Sequence, residues 1–173
     1  MRKWYYIFIL GAFFACKQQA DTEENSDSKD DAFTVEALPK SASPNAQATA
    51  ILSDWKEYND FTRAYNIIRQ AQNIEELKLT VDDIIEKQNV LAASTYPEKF
   101  NKAQIKSRQI VLKTYILKLK GDLEYGLNFN ESLKEMGSAY NTYINKFNIL
   151  VKQTLDTNLI RDEYKNPKLP PSL

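Results

Sequence analysis

Apolar and polar positions divide the chain into three stretches. An unbroken apolar run from Trp4 to Ala15 follows Arg2 and Lys3 and stops at Cys16. A polar stretch from Lys17 to Pro44 carries no helical or strand period. From Asn45 onward apolar residues recur at steps of three and four, the spacing of amphipathic helices. No alternating run of the kind a half-buried strand needs stands out.

The periodic part predicts three to four helices. The first runs from Asn45 to Gln72, with Ile51, Trp55, Tyr58, Phe61, Thr62, Tyr65 and Ile68 on its apolar stripe and Asn45 as its N-cap. A second begins at Asn73, where Glu76 completes a box-like capping pair, and buries Leu77, Val81, Ile84 and Leu91. Gln72 and Asn73 read equally as a turn or a kink. Ser94, Thr95, Tyr96 and Pro97 make the clearest break. A third helix starts near Asn101 with Gln104 as its capping partner and buries Ile105, Leu112, Ile116, Leu119 and Leu123. The last follows an Asn128–Glu131 pair and reaches about Lys165 through Leu133, Met136, Tyr140, Ile144, Phe147, Val151 and Leu155, before Pro167, Pro170 and Pro171 end it. The expected fold is therefore all-α, an antiparallel three- to four-helix bundle over residues 45–165. A disordered tether precedes it and a Pro-rich tail over residues 166–173 follows.

The apolar run at the start is a targeting segment and not a membrane span. Its twelve residues would rise only about 18 Å against a hydrocarbon core of about 30 Å. A positive start, an apolar stretch and a small residue before the break are the parts of a secretory signal peptide. With Cys16 at the break, residues 1–15 resemble the signal of a bacterial lipoprotein. Ala15 supplies the small residue needed before the cut, while Phe13 and Phe14 stand where that family has aliphatic and small residues. The resemblance implies cleavage between Ala15 and Cys16 and acylation of Cys16, palmitate included, so that the membrane is held through a lipid anchor. Two or three acyl chains make such an anchor stable where one does not.

Charge extends this picture. Residues 17–44 hold seven acidic and three basic side chains, a low-hydrophobicity composition that cannot offset the entropy of ordering. Residues 16–44 thus read as the lipidated cysteine and an acidic tether. The run Lys17-Gln18-Gln19-Ala20-Asp21-Thr22-Glu23-Glu24 resembles the acidic export signal that carries some lipoproteins of bacteroidete-type bacteria to the outer face of the outer membrane; a plain solvated spacer accounts for it too. Either way the expected place is the cell envelope, as an outer-membrane lipoprotein on the periplasmic side or at the cell surface.

Lys99, Lys106, Lys113 and Lys120 recur every seven residues, which sets them on one slowly drifting helix stripe. They suggest a docking strip for an anionic glycan partner, a phosphate-bearing glycolipid or acidic polysaccharide, with an envelope protein as the other expected partner of the chain. A solvated face, partly neutralised by the acidic second helix, explains them as well and is the commoner case. Arg108 lies near the apolar stripe, where Asp82, Asp83 or Glu86 could meet it. From Asn45 onward 18 basic side chains face 16 acidic ones, too mild a balance for a nucleic-acid partner. The helical spacing of Trp55, Tyr58, Phe61 and Tyr65 favours core over a ligand platform, with Tyr58 the residue expected to reach the surface.

With no histidine and Cys16 the only cysteine, acyl-transfer triads and Cys/His zinc sites have no residues to use. No cofactor is expected and a non-enzymatic module is favoured. The alternative is an envelope-polymer hydrolase, or an accessory to one, working through distant carboxylates. Trp55 with Tyr58, Pro97-Glu98-Lys99-Phe100, and Ile105-Lys106-Ser107-Arg108 leading to Val111-Leu112 make the span from Trp55 to Asn148 similar to small helical lipoproteins of bacteroidete-type bacteria. That resemblance implies a helical bundle and no particular activity.

Overall fold

The computed structural model describes residues 33–165, with side chains through residue 153. Ala15 and Cys16, the signal segment, the first half of the tether and the Pro-rich tail lie outside the described residues. Among the described residues there are five α-helices: α1 Ala46–Leu52, α2 Lys56–Ile67, α3 Ile74–Ala93, α4 Ala103–Glu124 and α5 Asn130–Lys165. Single 3₁₀ turns follow α2 at Ile68–Gln70 and precede α4 at Glu98–Phe100. The all-α bundle is the fold observed.

Helices α2 to α5 run up and down in turn. Asp82 meets Lys120 and Asn89 meets Lys113 across α3 and α4, while Tyr65 meets Tyr140 and Tyr58 meets Phe147 across α2 and α5. Numbers that rise on one helix as they fall on the next define antiparallel neighbours, and α5 closes the ring against α2. The predicted stripes point inward. Leu77, Val81, Ile84 and Leu91 from α3, Ile105, Leu112, Ile116, Leu119 and Leu123 from α4, and Leu133, Met136, Tyr140, Ile144 and Phe147 from α5 are all buried.

The long first helix is in fact two. The chain leaves α1 at Ser53 and re-enters at Trp55, whose extended backbone starts α2. The Asn59 side chain donates to the Ser53 carbonyl at 2.8 Å and so covers the break. The break turns the Trp55 indole inward, 4.7 Å from the Tyr96 ring, with its N–H given to Ser94 Oγ at 2.9 Å. Tyr58, expected at the surface, is buried beside it. Asn73 does start a separate helix: its side chain accepts from the Glu76 N–H, and Glu76 reaches back to the Gln72 N–H at 2.9 Å. Gln72–Asn73 is a turn.

Helix α4 begins two residues later than the sequence indicates. The Asn101 N–H is spent on the Pro97 carbonyl, closing the turn that buries Phe100. Its far end is a Schellman cap, with Gly126 at φ +65° and the Leu127 N–H bonded to the Asp122 carbonyl.

The largest departure lies before α1. Residues 33–44, read from sequence as part of the disordered tether, are laid along the bundle. Leu38 is 3 % exposed, and Phe33, Val35, Ala37 and Ala42 pack against the core. Charge and small polar residues dominate the average composition of the tether, but these five apolar side chains are concentrated in residues 33–42, where they find a groove.

Candidate functional site

Helix α4 is apolar on two sides. Ile110-Val111-Leu112 and Tyr115-Ile116-Leu117 are apolar triples, and at about 100° per residue such triples cannot all face one core. Leu112 and Ile116 take the inside. Ile110 is left 66 % exposed and Leu117 45 %, seven residues apart and so on one outward face. Val111 and Tyr115 turn toward α5.

There they wall a groove of about 330 Å³ whose other side is α5, with Ser138, Ala139 and Thr142 along it. Arg108 stands at one end beside Thr142, and Glu131, Lys134 and Glu135 stand at the other. Lys118 of α4 pairs with Glu135 and ties the two helices there; that bond holds the ammonium above its ordinary pKa. Arg108 therefore faces α5, not the carboxylates of α3 that the sequence offered it. The groove presents a cation, an apolar middle and carboxylates in sequence.

The lysine stripe resolves into separate settings. Lys99 is on the turn before α4, in a shallow depression with Glu98, Lys102 and Leu150. Lys106, Lys113 and Lys120 share the α4 face that meets α3. Lys106 lies over the Tyr96 ring at 5.1 Å, Lys113 donates to Asn89 at 2.7 Å, and Lys120 bonds Asp82 at 2.7 Å with Glu124 at 3.5 Å. The Asp82 hydrogen bond holds Lys120 above its ordinary pKa. An anionic partner at this stripe would compete with contacts the chain already makes.

Among the described residues no group of three or more His, Cys, Asp or Glu side chains is placed to hold a metal ion, and no helix is long and apolar enough to cross a membrane. The strongly perturbed groups are core tyrosines. Burial pushes Tyr58 up to about 12 and raises Tyr65, Tyr140 and Tyr143 as well. Tyr65 and Tyr140 stack at 3.7 Å between centroids with planes 4° apart. These hydroxyls sit inside the bundle, away from any groove.

Sequence reading missed the residues that hold the segment before α1. Asn141 accepts from the Ala42 N–H at 2.7 Å and donates to the Lys40 carbonyl at 2.9 Å; Asn148 accepts from the Asn45 N–H at 2.7 Å and donates to the Ser43 carbonyl at 3.1 Å. Arg69 bonds the carbonyls of Leu38 and Pro39. The available signal was two asparagines seven apart, each next to a core aromatic, Tyr140 and Phe147. No family model matches the chain, and neither a curated protein nor a solved structure matches it.

Proposed function

We propose that this chain is a lipid-anchored lipoprotein of the cell envelope whose helical bundle is a non-enzymatic module that docks another envelope protein through the outer face of α4. The anchor rests on Arg2, Lys3, the apolar run and Ala15-Cys16. The docking face rests on one observation, the second apolar side of α4. Ile110 and Leu117 gain nothing from solvent, and exposed apolar surface rimmed by polar groups marks interaction sites.

The chemistry of the neighbouring groove favours a protein over a glycan. Arg108 at one end of an apolar groove calls for a partner carrying an acidic group next to apolar residues, while Glu131 and Glu135 at the other end are met by Lys134 and Lys118. An acidic polysaccharide would need unspent lysines, and Lys106, Lys113 and Lys120 are engaged with Tyr96, Asn89 and Asp82.

The test is site-specific photo-crosslinking in cells, with the reactive amino acid placed at position Ile110 or, as control, at exposed Asn66 on α2. A discrete protein adduct from position 110 alone supports the reading. Equal adducts from both positions, or none from 110, would remove it.

A further inference from the structure

The polar contacts that hold the segment before α1 fall on its main chain, beside the apolar contacts of Phe33, Val35, Ala37, Leu38 and Ala42. All six hydrogen bonds from Asn141, Asn148 and Arg69 end on backbone atoms of residues 38–45. Each asparagine bridges the carbonyl of one residue and the N–H of the residue two further on, as a neighbouring β-strand would. The segment runs parallel to α5: Phe33 lies 6.2 Å from Phe129, Pro39 lies over Gly137, Lys40 and Ala42 meet Asn141, and Ser43 and Asn45 meet Asn148. The registers agree for a physical reason. Seven helical residues rise about 10.5 Å, and three residues of extended chain span roughly 9 to 10 Å. Asparagines seven apart can therefore read an extended chain every third residue.

Two features add side-chain selectivity. Leu38 fills an apolar socket. The missing side chain of Gly137 leaves room for Pro39, since a methyl group there would clash with Cδ and Cγ of the proline ring and lie 2.9 Å from a Leu38 methyl. The groove thus takes a Leu-Pro step, where the Leu38 N–H closes a turn on the Val35 carbonyl at 3.0 Å, followed by an extended chain.

We propose that this face of α5 is an extended-peptide site, filled in cis by residues 38–45, and that release of this strap opens it to another extended Leu-Pro segment in trans. Main-chain recognition is indifferent to whether the bound backbone belongs to the same molecule. The covalent strap wins by effective concentration alone, at the millimolar level for a short link. Peptide addition by backbone pairing is an established mode of recognition at sheet edges; here paired asparagines on a helix serve in place of the edge.

The experiment uses the full chain and a fluorescent synthetic peptide, FTVEALPKSASPN, the sequence of residues 33–45. Two variants release the strap while leaving α5 untouched: Leu38→Asp empties the socket, and Ala42→Pro removes the N–H that Asn141 accepts. Hydrogen exchange of residues 33–45 and helical circular dichroism report release and bundle integrity. The expected result is saturable peptide binding at least tenfold tighter to either variant than to wild type, lost when Asn141→Leu and Asn148→Leu are added. Binding no tighter than to wild type, or insensitive to the asparagines, overturns the proposal. So does strap exchange unchanged from wild type in both variants, because the named contacts would then not hold it. Loss of the bundle in both variants also overturns it, because the strap would then be inseparable from the fold.

Discussion

Gly137 lies directly beneath Pro39, so that a methyl group at position 137 would clash with Cδ and Cγ of the proline ring. Inside a helix, alanine is favoured over glycine by about 1 kcal/mol. The close approach of the strap reverses that preference at this position, because a proline ring cannot swing aside as a long flexible side chain can. Gly137→Ala is expected to lower stability by about 1–3 kcal/mol and to expose the strap to hydrogen exchange. Adding Pro39→Ala should recover part of the loss. Urea midpoints for the three chains measure both effects, and a stabilised Gly137→Ala would show that the strap does not touch α5 as described.

Trp55 gives its indole N–H to Ser94 across the turn between α3 and α4. Trp55 is 3 % exposed, so little solvent reaches the indole to replace the serine. Ser94→Ala leaves a buried donor unpaired and is expected to cost about 1–3 kcal/mol, read as a shift of the denaturation midpoint with unchanged slope. Thr95→Ala, at the adjacent exposed position, should change little. Equal effects at the two positions would remove the special role of the Trp55–Ser94 bond.

The tyrosine core predicts alkaline instability. Burial raises the folded-state pKa of Tyr58 to about 12 from an ordinary 10.0, and raises Tyr65, Tyr140 and Tyr143 for the same reason. Each stays protonated in the fold after its unfolded counterpart has ionised. Their contribution is fully present below pH 10 and is lost as pH climbs from there toward the folded pKa values. By linkage, four such groups cost on the order of 5 kcal/mol by pH 11. Denaturant titrations between pH 8 and pH 11, followed by circular dichroism and tyrosinate absorbance, should show stability level to about pH 10 and falling steeply beyond. A curve still level at pH 11 would contradict the burial of these hydroxyls.

Ile110 and Leu117 separate binding from folding. Both face outward, so Ile110→Lys with Leu117→Lys should alter stability by no more than about 0.5 kcal/mol per site. Partner crosslinking from a reactive group at nearby Thr114, also exposed on α4, should fall at least tenfold. A large loss of stability would mean that these side chains serve the core.

Helix content and the inward stripes were legible in the sequence because burial imposes a period on every turn of Leu77–Leu91, Ile105–Leu123 and Leu133–Phe147. The Asn73–Glu76 cap was legible for a similar reason, since both halves of its reciprocal bonding sit within four residues. Breaks set by tertiary contacts were not. The α1–α2 interruption exists so that Trp55 can reach Tyr96 and Ser94, some forty positions along the chain. Likewise the strap is fixed by Asn141 and Asn148, about a hundred positions from the backbone atoms they bond, while its local composition is that of a polar linker. At the lysine stripe, periodicity placed Lys106, Lys113 and Lys120 on one face, but only the packed α3 supplied Asn89 and Asp82 as their partners. The apolar outer side of α4 was masked because its residues are interleaved with those of the core.

Cys16 is the residue on which the proposed lipid anchor depends. Metabolic labelling with an alkyne analogue of palmitate, in cells producing either the wild-type chain or Cys16→Ala, should give a labelled, membrane-associated wild type and an unlabelled variant released from the membrane fraction. A wild-type chain without label, or equal label on both chains, would contradict the lipid anchor on which the proposed function rests.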